Sequence, residues 1–118
     1  MMLGCIKELG EGPMQVQVIN FQLQGIDAGE YSQMCEHLAP TVAEVPGLIA
    51  KVWLADPASN TYGGVYTWRD EQAMRDFAAG ELFQAVKNNP HLTNVTSRTF
   101  GVLEGPTAIT RGLAVALV

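Results

Sequence analysis

Two hydrophobic periods alternate along the chain. From Met14 to Leu23, MQVQVINFQL places Met14, Val16 and Val18 on even positions and Ile19, Phe21 and Leu23 on odd ones, a strand with neither face plainly wet. The period then becomes helical. Tyr31, Met34, Cys35, Leu38, Val42 and Val45 fall on one stripe, and Asp27 with Glu30 three residues on makes a capping-box start. Pro40 deletes the bond to the Glu36 carbonyl and disfavours helix at Ala39, so the pattern predicts a kink or two helical pieces. Pro46-Gly47 ends the segment.

Leu48 to Ala55, LIAKVWLA, has one charge in eight residues and predicts a second, buried strand, with a turn over Asp56 to Asn60. In Thr61 to Phe83, the β-formers Val65, Tyr66 and Trp68 follow Gly63-Gly64, and Met74, Phe77 and Ala78 then recur at helical spacing. Asp70 is placed to cap that helix, and Glu71 suits its positive end. Gly80 ends the first piece, Glu81 to Asn88 forms another, and Asn89-Pro90 stops it. Leu92 to Leu103 is the last strand, closed by Gly105-Pro106.

The order is strand, helix, strand, strand, helix, strand. It is that of a ferredoxin-like α+β domain, βαββαβ, with a four-stranded antiparallel sheet and both helices on one face through right-handed crossovers. Taking the even positions as helix-facing puts Asn20, Tyr66, Trp68 and Arg98 beneath the helices. Ile19, Phe21, Ile49, Lys51 and Trp53 then fall on the bare side, where each exposed large side chain forfeits about 1.5–3 kcal/mol. An isologous homodimer with sheet facing sheet would bury them. The expected domain spans 14–106, after an irregular lead-in at 1–13 and before a tail at 107–118 that packs on the body or the partner subunit.

Composition narrows the classes. With 118 residues, 47% hydrophobic and 16% charged, the chain suits one globular domain. A net charge of −5 with seven scattered Lys and Arg offers no footprint for nucleic acid or anionic membrane. There is no uncharged apolar run of about 18 residues, and MMLGCIKELGEGP lacks a signal-peptide pattern, so a cytoplasmic protein is expected. Cys5 and Cys35 lack metal-type spacing and read as free thiols of a reducing compartment.

Tyr66 and Trp68, two amphipathic rings on one strand face, mark the expected pocket, although core rings with hydrogen-bonded tips would look the same. Asn20 could satisfy loop backbone, and Arg98 could pair with Glu30 or Glu36. His37 and His91 are proton acceptors only if their elements reach the pocket. The methionines suit core filling, and no nucleophile-base pair, phosphate loop or metal-binding cluster is present in the sequence.

The segments EHLAPTVAEVPG, PGLIAKVW and GGVYTWRDEQAMRDF resemble the YdhR-type monooxygenases. These are small members of the dimeric α+β barrel superfamily that includes the antibiotic-biosynthesis monooxygenases. The resemblance runs from Gln15 to about Thr107. It implies oxygenation of a small aromatic, polycyclic or quinol-type substrate by dioxygen without metal, flavin or nicotinamide. Such a substrate supplies the electrons itself, held as an enolate or phenolate in a dry pocket with hydrogen-bond donors and aromatic walls. The implied roles are walls and donors for Tyr66 and Trp68, donor for Asn20 and charge partner for Arg98.

Haem-degrading enzymes of the same superfamily resemble this chain at Asn20 and Trp68. Their iron-binding histidine falls at Lys87, and an ammonium is a poor iron ligand, so haem is the second reading, with His91 the nearest substitute. A non-catalytic dimer that binds a small apolar ligand is the third.

Overall fold

The computed structural model describes residues 13–112. Strand β1 (Gln15–Leu23) leads into helix α1 (Ala28–Ala43). Strand β2 (Leu48–Asp56) turns through a 3-10 segment at Pro57–Ser59 into β3 (Thr61–Trp68). Helices α2 (Glu71–Ala79) and α3 (Glu81–Asn88) precede β4 (Leu92–Gly101), and a short helix α4 (Glu104–Ile109) follows. The sheet order is β2-β3-β1-β4 with every neighbouring pair antiparallel, so the expected ferredoxin-like βαββαβ fold is present. Most of the lead-in and the last six residues, Cys5 among them, lie outside the described residues.

The helix starts follow their capping chemistry. The Asp27 carboxylate accepts from the Glu30 N–H at 2.8 Å while Glu30 accepts from the Asp27 N–H at 2.9 Å, and Asp70 accepts from the Ala73 N–H at 2.9 Å. Helix α1 runs unbroken through Pro40, so of the expected kink or pair of pieces the second does not occur. Pro40 and Glu36 both face solvent, so water can serve the carbonyl that proline leaves without a donor.

The parity of the sheet differs from the expectation. Gln17 lies opposite Tyr66, Ile19 opposite Gly64 and Phe21 opposite Tyr62, so the odd positions of β1 share a face with the even positions of β3. Gln17, Ile19 and Phe21 are buried with Tyr66 and Trp68 under the helices. A bulge at Ile49, between the Leu48–Trp68 and Ala50–Thr67 pairs, shifts β2 so that Lys51 pairs with Tyr66 and Trp53 with Gly64. Lys51 and Trp53 therefore belong to the helix-covered face and not to the bare one.

The bare face carries Val16, Val18, Val52, Leu54, Val65 and Phe100, with Asn20, Thr96 and Arg98. Val52 is 59% and Phe100 44% exposed there. An apolar uncovered face is thus present, but made of smaller residues than expected. Ile19 and Phe21 went inward because they offer the larger burial. Among the described residues, no helix is long and apolar enough to cross a membrane.

Candidate active site

Beneath α2 and α3 the aromatic residues form a continuous array. Tyr66 stacks on Trp68 with centroids 5.8 Å apart and planes within 3°, Phe77 lies 5.2 Å from Tyr66 and 5.0 Å from Trp68, and Phe83 lies 5.8 Å beyond Phe77. The array exists because alternation on β3 puts Tyr66 and Trp68 on one face and helical spacing brings Phe77 and Phe83 over them. Trp68 is wholly buried. Phe83 opens onto a cleft of about 420 Å³ between α3 and β4, lined also by Lys87, Leu92, Asn94, Val95 and Ser97.

A polar chain joins the array to that cleft. The Trp68 indole Nε1–H donates to Gln17 Oε1 at 3.0 Å, and Gln17 Nε2 donates to Ser97 Oγ at 3.1 Å. Gln17 is 2% exposed, so both ends of its amide need these partners. The indole can only donate, which sets the direction of the amide. Ser97 Oγ then accepts from Gln17, and among the described residues nothing else takes its O–H, which can donate into the cleft.

The expected site residues separate into two groups. Tyr66 and Trp68 are under the helices as expected, but as closed core, with the Trp68 donor used by Gln17. Asn20 and Arg98 lie on the opposite face of the sheet, because Asn20 pairs with Gly63 and Thr96, and Arg98 with Val18. Asn20 Nδ2 donates to the Tyr62 carbonyl at 3.4 Å, and the Arg98 guanidinium lies 5.0 Å over the Phe100 ring, away from Glu30 and Glu36 on α1. Gln17 and Ser97 were not singled out from sequence. A glutamine sharing a parity set with Ile19 and Phe21 was the available signal.

Burial raises the Tyr66 phenol well above its ordinary range, with Cys35 adding to the effect, so the group stays neutral at physiological pH. Burial likewise raises the Tyr31 phenol, and a hydrogen bond with Cys35 raises it further. Lys51 moves the other way. Burial lowers its ammonium from 10.5 to about 8, partly opposed by Cys35. The folded chain therefore holds fewer protons than the unfolded one between those two values, and the destabilisation is complete below pH 8 and disappears as the pH rises to 10.5. Lys51→Met, which keeps the apolar stem, should stabilise the protein at pH 7 by about 1–2 kcal/mol after allowance for partial solvent screening. In denaturant melts that gain should shrink above pH 8; a gain independent of pH would contradict the assignment.

The protein is of the ferredoxin-like α+β class, with a cleft between α3 and β4. Within that class, the family model described as "Putative mono-oxygenase ydhR" matches residues 16–113, and the chain belongs to that family.

Solved structures with the same fold include a single-site mutant of SnoaB, a cofactor-independent oxygenase from Streptomyces nogalater. That structure is 21% identical with a TM-score of 0.62, over 79% of this chain and 96% of that one. MhuD, a heme-degrader from Mycobacterium tuberculosis with two hemes bound in its active site, is 22% identical with a TM-score of 0.61, over 75% of this chain and 95% of that one. NE2512 from Nitrosomonas europaea, a protein of unknown function, is 14% identical with a TM-score of 0.65, over 81% and 95% of the two chains. At these identities the likeness establishes the fold. No curated sequence matches the chain.

The residues around the cleft do not fit a haem iron. Lys87 stands on its wall with Nζ 5.7 Å over the Phe83 ring. His91 is turned to the end of β1, where Nδ1 lies 2.8 Å from the Gln24 carbonyl oxygen, and it does not line the cleft. Among the described residues no group of three His, Cys, Asp or Glu could hold a metal ion.

Proposed function

We propose that this protein is a cofactor-independent monooxygenase that oxidises a small aromatic, polycyclic or quinol-type compound held in the cleft between α3 and β4. The observation that carries the reading is the chain Trp68, Gln17, Ser97, which delivers a hydroxyl donor to a cleft lined by Phe83, Leu92 and Val95 together with Lys87 and Asn94, at the end of an aromatic array. Family membership supports the same reading.

In this mechanism a methylene carbon of the bound aromatic loses a proton to solvent at the cleft mouth. The resulting enolate oxygen lies against the Ser97 O–H, whose hydrogen bond is strongest to the charged form. The anion passes an electron to dioxygen, the two radicals combine as a peroxide anion, and a proton taken back from solvent makes it a hydroperoxide. Loss of water leaves a carbonyl, so one oxygen atom enters the product and the other leaves as water. Phe83, Leu92 and Val95 limit water around the anion, and Tyr66 stays protonated in the aromatic array behind them.

Oxygen uptake with an anthrone or a quinol, without added cofactor, is the test. Ser97→Ala should lower kcat about a hundredfold to a thousandfold, the usual range for loss of one donor to a developing oxyanion. Ligand-induced thermal shifts with no uptake across a panel of such substrates would replace this reading with ligand binding alone.

The bare face supports the expected homodimer with a corrected set of residues. Val16, Val18, Val52, Val65 and Phe100 form an apolar patch that a second copy covers by two-fold symmetry. Val52→Asp should give a monomer in analytical ultracentrifugation, since each copy would bury an uncompensated carboxylate in the interface. A wild-type monomer at micromolar concentration would overturn this assembly.

A further inference from the structure

The cleft between α3 and β4 carries a single charge. Of the residues that line it, Phe83, Leu92 and Val95 are apolar, Asn94 and Ser97 are neutral, and Lys87 alone is ionised. Lys87 follows Phe83 by four residues on α3, which puts both side chains on one helix face, and its Nζ lies 5.7 Å over the Phe83 ring. That ring is buried and opens onto the cleft, so the ammonium is held on the cleft side of the helix. Among the described residues the ion pairs are Arg69–Asp70 and Arg75–Glu71, around the start of α2, and Lys87 is in neither.

A second cavity, of about 180 Å³, lies where the turn before β2 meets α2 and α3, and its charged lining residues are Asp76 and Glu81. Of the two spaces, only the cleft therefore favours an anion, in a chain whose net charge is −5. Arg98, expected as charge partner, stands on the opposite face of the sheet. Its role inside the cleft falls to a different cation.

We infer, resting on the oxygenase reading of this cleft, that Lys87 is a further catalytic residue whose ammonium is the counter-charge of the substrate anion that Ser97 holds. In the step it serves, the substrate C–H bond breaks, the proton leaves to solvent and the electron pair becomes the enolate. Lys87 neither gives nor takes a proton. The Ser97 hydroxyl acts on one oxygen in one direction, whereas a charge acts on the whole space. A compact space of 420 Å³ is about 9 Å across, so the ammonium should be worth about tenfold in the ionisation of a bound substrate, after allowance for its exposure. When the electron passes to dioxygen, the charge stays within the same reach.

Oxygen uptake with anthrone, followed against pH, is the test. Lys87→Met keeps an apolar stem over Phe83 and removes the charge. It should move the rising limb of the rate profile up by about one pH unit, lowering the rate about tenfold below that limb and little on the plateau. Lys87→Arg should keep the wild-type profile, and Lys51→Met, which removes a charge beneath α1, should leave it unchanged. Lys87 is exposed, so its replacement leaves the core intact, and thermal melts of the variants check this. An unshifted profile in Lys87→Met would overturn the inference and leave the oxygenase reading standing. An equal shift in Lys87→Arg would assign the effect to lost packing and overturn it as well. No uptake by the wild-type protein would remove both readings together.

Discussion

Gly63→Ala is expected to prevent the native sheet from forming. Gly63 has φ +145°, a backbone region that side-chain-bearing residues rarely enter, and a Cβ there would stand 1.8 Å from the Ile19 carbonyl oxygen and 2.9 Å from the Asn20 Cα. Both obstacles are backbone atoms of the neighbouring strand, in a ladder that pairs Gly64 with Ile19 and Gly63 with Asn20. Relief requires parting the two central strands. The cost exceeds about 4 kcal/mol, a large share of the roughly 5–15 kcal/mol that holds a domain together. Circular dichroism and soluble yield are the measurements. Gly64→Ala is the control: it first meets the movable Lys51 stem at 2.7 Å, so about 1–2 kcal/mol is expected. A Gly63→Ala protein that melts within a few degrees of wild type would remove this account of the Gly-Gly pair.

Trp68→Ala carries the second large effect. Trp68 is wholly buried against Tyr66 and Phe77, so truncation should cost about 3–5 kcal/mol through lost burial and the hole left behind. Trp68→Phe separates the ring from its donor. It keeps most of the aromatic contact but leaves Gln17 Oε1 without a partner, which costs about 1–3 kcal/mol and releases the amide to turn over. A turned amide presents its oxygen to Ser97, and the Ser97 hydroxyl then donates inward instead of into the cleft. Oxygen uptake should therefore fall in Trp68→Phe by more than its loss of stability explains. The pairing with Gln17→Leu should be non-additive in a double-mutant cycle. Additive losses, or full turnover by a folded Trp68→Phe protein, would break the proposed chain from indole to cleft.

The positions of Asn20 and Arg98 show where reading a sequence stops. Alternation within β1 correctly separated Val16, Val18 and Asn20 from Ile19 and Phe21, and alternation within β3 correctly grouped Tyr66 with Trp68. Residue number carries no parity from one strand to another. The β1–β3 ladder pairs odd with even, and the Ile49 bulge adds one more shift in β2. Those two offsets carried Lys51 and Trp53 under α1 and left Asn20 and Arg98 outside. The β1–β4 register, which pairs Ser97 with Ile19, brought Ser97 to the helix side.

What this sequence determined alone is local and periodic: element order, the caps at Asp27 and Asp70, the stop at Gly80 and the ring pair on β3, each depending on neighbours within a few residues. The helix-covered face, the Trp68–Gln17–Ser97 chain and the placing of Lys51 over Trp53 were decided only in three dimensions. They depend on register between strands distant in the chain, which is selected by total burial across the sheet and leaves no mark at any single position.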